Sequence, residues 1–143
     1  HADRIGHGLT LVKRPELARK FRNRRIALEL CPTSNMEVVG YEDPINPHTI
    51  GLEKYPFREL WNQGLALTVN TDNPGISRTT LVDEYLKLAR MDGKLTLWET
   101  LTLVKQSFLY SFMDDKETML KKADIEVYKI CSQNFDSFLS HSR

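Results

Sequence analysis

The sequence places a group of polar side chains, residues 70–73, directly after an apolar strand. Residues 65–69 read LALTV, and the alternation of bulky and smaller side chains along them favours a strand in a parallel sheet. The parity that carries the smaller residues also carries Asp72, so we expect its carboxylate on the crowded face of the sheet. Pro74 then ends the strand pairing. A carboxylate at the carboxyl end of such a strand lies where α/β enzymes place their chemistry.

A second candidate is His7, which lies between Gly6 and Gly8 after a short predicted strand around residues 4–6. The flanking glycines predict a sharp, sparsely shielded turn that leaves the imidazole open. A lone histidine beside glycine is nevertheless more often an ordinary loop residue than a catalyst. From the residues alone, both interpretations stay open.

Glu29 and the two cysteines are the next candidates for a site residue or a metal ligand. The parity of the strand at 26–30 points Glu29 inward, where a buried, paired carboxylate is favoured over a supporting role in a site. Cys31 and Cys131 lie far apart and form no CxxC motif, which argues against a metal held by cysteines. Their number and spacing fit a reducing compartment, and we predict a cytoplasmic protein.

Composition excludes several classes of partner. The chain has 143 residues, with 20 basic and 19 acidic residues and a net charge of +1, so no global field recruits nucleic acid or an acidic membrane surface. Seven of the basic residues lie between positions 13 and 25, and we interpret them as a solvated helix face because no aromatic interleaving accompanies them. No apolar run approaches the about 20 residues of a membrane span. We therefore expect neither nucleic acid nor a membrane as a partner.

Three units of strand plus helix must position these side chains. The predicted strands are 4–6, 26–30 and 65–69. A turn over 31–35 and a long irregular region over 36–55 separate the second strand from its helix. The predicted helices are 15–23, 56–63, a helix from Thr79 or Thr80 to Met91, a helix over 96–112 that is apolar on most sides, and a helix from Asp114 or Asp115 to about Cys131. We treat residues 1–131 as one domain and 132–143 as a polar tail that frays.

This alternation predicts an α/β fold with a parallel sheet and right-handed crossovers. Three strands make a poor parallel sheet, because such a sheet must be covered on both faces or closed into a barrel. A whole (β/α)8 barrel needs roughly 250 residues. On physical grounds, the chain is expected to be part of a larger fold.

Three motifs carry a resemblance to a known family. They are RIGHG at residues 4–8, LELCPTSN at 28–35 and NTDNP at 70–74. Their order and spacing resemble those of the adenosine deaminase family over about residues 3–128. The resemblance implies a metal-dependent (β/α)8 TIM barrel that hydrolyses the 6-amino group of adenosine. This chain would supply strands six to eight with their helices and the closing C-terminal helices, and the first five strands would be absent.

The resemblance also implies roles for single residues. Asp72 matches the family's zinc-binding aspartate, and His7 matches its catalytic histidine. The family's other zinc ligands, three histidines, and its general acid, the glutamate of a His-Ala-Gly-Glu motif, have no match in this chain. At the position where the family often has a second aspartate that contacts purine N7, this chain has Asn73. A carboxamide always carries a donor for that acceptor, so Asn73 is a tolerable substrate-binding residue.

Two functions follow as hypotheses. In the first, the chain is the C-terminal part of a zinc-dependent adenosine deaminase, inactive alone and unable to hold zinc alone, which associates with the missing barrel half or with itself. In the second, it is a non-catalytic module that self-associates or binds a partner. The coding sequence upstream of His1 distinguishes the two.

Overall fold

A three-stranded parallel sheet forms the centre of the fold. The structure is a computed structural model that describes residues 2–141, with side chains described through residue 134. Strands β1 (Arg4–Gly6), β2 (Ala27–Leu30) and β3 (Ala66–Val69) lie in the order β1-β2-β3. Both pairs are parallel, and the register places Gly6 beside Glu29 and Leu28 beside Leu67. The predicted parallel sheet is therefore confirmed.

Helices connect and follow the strands. Short 3₁₀ turns occupy Leu9–Lys13 and Pro47–Thr49. The α-helices of the described residues are α1 (Pro15–Arg24), α2 (Pro32–Val38), α3 (Phe57–Asn62), α4 (Pro74–Ser77), α5 (Leu81–Asp92), α6 (Leu97–Leu109) and α7 (Lys116–His141). None of these helices is long and apolar enough to cross a membrane.

Local sequence sets several of these helix ends. Thr80 and Thr96 are the N-caps of α5 and α6, and each forms a capping box with the acidic residue three positions later. Gly64 follows α3 with a φ of 70°, the left-handed geometry that suits a glycine after a helix.

The predicted turn over 31–35 is wrong, because most of it is the first part of helix α2. Pro32 occupies the first helical position, where its missing N–H costs no hydrogen bond. The side chains that suggested a turn, Ser34 and Asn35, make hydrogen bonds to the distant residues Asp72 and His7, and Asn35 also accepts one from the nearby Cys31 N–H.

Two predictions about the C-terminal helices also need correction. The last helix continues to His141 and does not end near Cys131, so most of the proposed polar tail is helical. Residues 142 and 143 of that tail lie outside the described part. The apolar pattern of α6 predicts a helix buried on more than one face; Leu103 is fully buried, but Leu97 and Trp98 are 69% and 77% exposed.

The bulky side chains of the strands face the helices and form the core. Leu28, Leu30, Leu67 and Val69 lie in one buried cluster, and its helical members with no exposed surface are Phe57, Leu60, Leu88 and Leu103. Complete burial of each such side chain contributes roughly 1.5–3 kcal/mol. The large/small alternation of the strands therefore predicted the core face correctly.

Helix α6 lies along the free edge of β3. The backbone N–H groups along β3 point alternately to its two edges. Asn70 N–H donates to Leu30 O of β2, so the N–H of Leu67, three positions earlier, points away from β2. That N–H donates to Gln106 Oε1 at 2.7 Å. A side chain of α6 thus takes the place of a neighbouring strand at this point of the edge.

Candidate functional site

The loops that follow β1, β2 and β3 meet at one edge of the sheet, because the carboxyl ends of parallel strands lie together. His7 follows β1, α2 follows β2, and Asp72 follows β3. His7 and Asp72 both have left-handed backbone geometry, with φ of 61° and 56°. Such geometry costs a residue with a side chain about 1–3 kcal/mol, and residues held in this way cluster at functional sites.

Asp72 lies between two polar partners. Ser34 Oγ donates to Asp72 Oδ2 at 2.7 Å, and His7 Nε2 lies 3.8 Å from the same oxygen. The side chains of His7 and Asp72 are 43% and 37% exposed, so both remain open to a ligand. The structure therefore brings together two of the three residues that the sequence singled out, and it adds Ser34.

Asn35 connects this pair to the interior. Its Nδ2 lies 2.9 Å from His7 Nδ1, and its Oδ1 accepts from Tyr55 O–H at 3.0 Å and from Cys31 N–H at 3.3 Å. Asn35 and Tyr55 are only 5% and 4% exposed. The imidazole of His7 is thus held on one side by a buried polar network, whereas its other side faces Asp72.

The third predicted residue, Asn73, lies at the start of α4 beside Asp72. Its side-chain oxygen is 2.9 Å from Ser77 Oγ, which also lies 2.6 Å from Glu37 Oε2. The single hydroxyl proton of Ser77 serves one of these acceptors at a time. Asn73 is therefore at the rim of the site and not in direct contact with His7.

Two clefts share His7 and Asp72. One, of about 550 Å³, lies over the carboxyl ends of the strands, and its lining includes Glu29, Asn70 and Ser107. The other, of about 490 Å³, extends towards α2, and its lining includes Asn73 and the apolar side chain of Val38. Both volumes lie within the range of sites for small organic ligands.

Glu29 is a paired carboxylate, as the sequence favoured. Its Oε1 lies 2.9 Å from Arg4 Nε, and both side chains are partly buried. Arg4 also donates to Tyr110 O at 3.0 Å and stacks over the ring of Phe112, 4.1 Å from its centre. The pair connects the inner face of β1 and β2 with the end of α6.

The surroundings of Cys31 disfavour a role as a nucleophile. Burial, followed by the negative charges of Asp72, Glu84 and Glu29, raises the pKa of its thiol to about 12. The thiolate needed for nucleophilic chemistry or metal binding is therefore disfavoured at neutral pH.

Glu84 is a carboxylate with no exposed surface, and the sequence motifs did not point to it. It accepts hydrogen bonds from Thr33 N–H at 2.9 Å and from Thr79 Oγ1 at 2.7 Å, and it thereby fixes the first turn of α2 to α5. Its burial could have been predicted from its spacing, because Glu84 lies four and seven positions before the buried residues Leu88 and Met91, on the same side of the helix.

Asp72 fits a metal site only as one ligand of several. Among the residues that the structure describes, no group of three or more histidine, cysteine or acidic side chains is placed to hold a metal. A carboxylate oxygen is a donor that zinc accepts, but zinc requires three or four protein ligands. The described residues by themselves therefore do not provide a complete zinc site.

Comparisons with known proteins agree on one family. The profile of a family described as "Adenosine deaminase" matches residues 1–126. An adenosine deaminase of Clostridium acetobutylicum is 34% identical over 126 residues, which cover 87% of this chain and 35% of the relative. The chain thus spans about a third of the length of the curated relatives it matches.

Solved structures agree with this match. The N6-methyl-AMP deaminase of Arabidopsis thaliana is 29% identical with a TM-score of 0.65, and the alignment covers 85% of this chain and 34% of that one. An amidohydrolase of Burkholderia ambifaria, solved with bound Zn, has a TM-score of 0.73 over 92% of this chain and 35% of its own. It is 22% identical, so it shows similarity of fold alone.

Proposed function

The chain belongs to the adenosine deaminase family, and we propose that it is the C-terminal part of a zinc-dependent enzyme that hydrolyses adenosine to inosine and ammonia. One observation carries the proposal. His7 and Asp72 follow different strands, yet their side chains lie 3.8 Å apart in an open cleft at the carboxyl edge of the sheet. This is the edge at which α/β barrels carry out their chemistry.

In this proposal β1, β2 and β3 are strands six to eight of a (β/α)8 barrel. Their bulky faces are covered by helices, and the opposite faces carry small or polar residues such as Ala27 and Thr68. A barrel interior requires small side chains of this kind on part of its strands. The remaining strands, or a second copy of the chain, would cover the outer edge of β1 and the edge of β3 that Gln106 now occupies.

Asp72 would supply one ligand of the zinc ion, and histidines outside these 143 residues would supply the others. Zinc lowers the pKa of a bound water towards neutrality and so provides a nucleophile at physiological pH. Ser34 holds Asp72 through one oxygen and leaves the other available. A ligand that is already oriented loses less entropy when the metal binds.

His7 is the proposed catalytic histidine. Its Nε2 lies next to Asp72, where it can orient an attacking water towards the purine and stabilise the charge that develops. The general acid of the reaction has no counterpart among the residues of this sequence and would come from the rest of the barrel.

Asn73 is the proposed contact to the purine. Its amide N–H₂ can donate to N7, which is an acceptor, without a change of protonation state. Position 73 lies at the rim of the same cleft as His7 and Asp72, as a group that orients the substrate should.

The substrate we propose is a purine nucleoside, with adenosine as the reference compound. One structural neighbour is named for activity on N6-methyl-AMP, a nucleotide, so a monophosphate belongs in any substrate test. We also propose a cytoplasmic location and no nucleic-acid partner. The comparisons give no support to the alternative of a non-catalytic module.

The coding sequence upstream of His1 tests this proposal at little cost. We expect an open reading frame that continues upstream and encodes a histidine pair on a first strand and a His-Ala-Gly-Glu motif. The protein made from that frame should contain zinc and deaminate adenosine. An upstream frame that encodes an unrelated domain without these motifs would overturn the proposal.

A further inference from the structure

The amide orientation of Asn35 can be deduced from its neighbours. One branch of the amide faces Cys31 N–H at 3.3 Å, and a backbone N–H can only donate, so this branch is the oxygen. Tyr55 O–H donates to the same oxygen at 3.0 Å. Burial raises the pKa of the Tyr55 hydroxyl well above its usual value, so it keeps its proton and remains a donor.

The other branch is therefore the N–H₂ group, and it points at His7. Nδ2 of Asn35 lies 2.9 Å from His7 Nδ1. An amide N–H₂ cannot accept a hydrogen bond, so this contact requires that Nδ1 carry no proton. In a neutral imidazole the proton then lies on Nε2, the nitrogen that faces Asp72 Oδ2 at 3.8 Å.

We propose that Asn35, supported by Tyr55, is a positioning residue that fixes the tautomer and the ring orientation of His7. The buried network directs the only N–H of the neutral ring into the cleft that contains Asp72. Asn35 and Tyr55 act through His7, and neither lies on the Asp72 side of the ring.

The functional significance of this inference rests on the proposed catalytic role of His7. Its test observes only the ring nitrogens of His7 and does not depend on enzyme activity. The whole 143-residue chain is labelled with ¹⁵N and ¹³C, and the ring nitrogens of the histidines are observed by NMR at a pH where imidazoles are neutral. The His7 signals are assigned by their loss in His7→Gln. We expect Nδ1 without a proton and a scalar coupling between Nδ1 and the Asn35 amide nitrogen.

Asn35→Leu removes the donor at similar volume. We expect the coupling to disappear and the ratio of the Nδ1–H to the Nε2–H tautomer to rise roughly fivefold, the factor expected for loss of one buried hydrogen bond. Tyr55→Phe should shift the ratio in the same direction by less, because Cys31 N–H still holds the amide oxygen. If Asn35→Leu does not fold, Tyr55→Phe alone decides.

The matched control is Thr33→Val in the same helical turn. The Thr33 hydroxyl is buried without a hydrogen-bond partner among the described residues, so its loss should leave the His7 tautomer unchanged. A protonated Nδ1 in the unmodified chain, or an unchanged ratio in both Asn35→Leu and Tyr55→Phe, would overturn the inference and leave the deaminase proposal intact. Failure of the deaminase proposal would not alter the tautomer.

Discussion

His7 and Asp72 approach within 3.8 Å through Nε2 and Oδ2, although their strands are separated by the whole width of the sheet, with β2 between them. Each residue turns out of its strand with a positive φ, and Ser34 and Asn35 from α2 hold one side chain each. The first turn of α2 therefore connects the two candidate site residues. The expected effects of substitutions follow from this arrangement.

In the complete barrel, a substitution at Asp72 should affect zinc binding, whereas one at Asn73 should affect substrate recognition. Asp72→Ala removes the proposed metal ligand, so both bound zinc and activity should be lost. Asn73→Asp exchanges a permanent donor for an acceptor, and a mispaired buried polar contact costs about 1–3 kcal/mol. We expect kcat/KM to fall roughly tenfold to a hundredfold with bound zinc unchanged.

Measurement of both the zinc content and the steady-state kinetics of the two variants tests these predictions. Loss of zinc in Asn73→Asp, or retention of zinc and turnover in Asp72→Ala, would show that the two positions are wrongly assigned.

The isolated chain should neither bind zinc tightly nor deaminate adenosine. Among its described residues Asp72 has no cluster of further ligands, and one carboxylate cannot form a zinc site. Equilibrium dialysis against zinc, followed by metal analysis, should give the same content for the chain and for Asp72→Ala. Adenosine turnover that a chelator abolishes would refute this prediction.

Self-association of the isolated chain is the next expectation. Leu97 and Trp98 of α6 are largely exposed, and similarly exposed apolar side chains continue along α7 at Ile125, Tyr128 and Ile130. Exposed apolar side chains of this kind favour association.

Light scattering should show species above the monomer, and Trp98→Ser should reduce them. Lys122→Ser, which removes an exposed charge from α7, is the matched control and should not.

A compact monomer that binds no apolar dye would contradict this expectation. It would mean that three strand and helix units close their own core.

The contact between Glu99 and Arg58 predicts a pH dependence of stability. Hydrogen bonds from Arg58, then from the Thr96 backbone, lower the pKa of Glu99 to about 2 from its ordinary value of 4.5. Because the pKa is lower in the folded chain, the stabilisation is present above about pH 4.5 and is lost as the pH falls towards 2.

Glu99→Gln should therefore lower the free energy of unfolding at pH 7 by about 1.5–3 kcal/mol, the range for hydrogen bonds to charged groups. Urea unfolding at several pH values measures it, and the difference between the two proteins should shrink below pH 4.5. Glu16→Gln, in an exposed pair with Arg19, is the control and should change little. A difference that stays constant down to pH 2 would contradict the assigned cause.

Local signals predicted the strands, the starts of helices α5 and α6 to within a residue, and the core face. The alternation in 65–69 and the capping residues Thr80 and Thr96 act within a few residues of their own position, so a sequence displays them directly. The position of Asp72 after β3 and of His7 after β1 followed from the same short-range signals.

The remaining features depend on contacts between distant residues. The sequence predicts a turn where helix α2 begins, because Ser34 and Asn35 also suit turns, and only the contacts with their distant partners Asp72 and His7 show otherwise. In the sequence, Gln106 has no feature that distinguishes it from other polar residues of a helix. Its role depends on the N–H of Leu67, which donates to its side-chain oxygen in the folded chain.

Reconstitution of the barrel is the decisive experiment for the proposed function. The chain is expressed together with the part of the Clostridium acetobutylicum adenosine deaminase that it does not match, about two thirds of that enzyme's length. Adenosine deamination and zinc content are then measured for the purified complex, with Asp72→Ala as the matched variant. We predict a complex that binds zinc and converts adenosine to inosine, and loss of both with Asp72→Ala. A stable complex that lacks zinc and turnover, or one whose activity is independent of Asp72, would refute the proposed function.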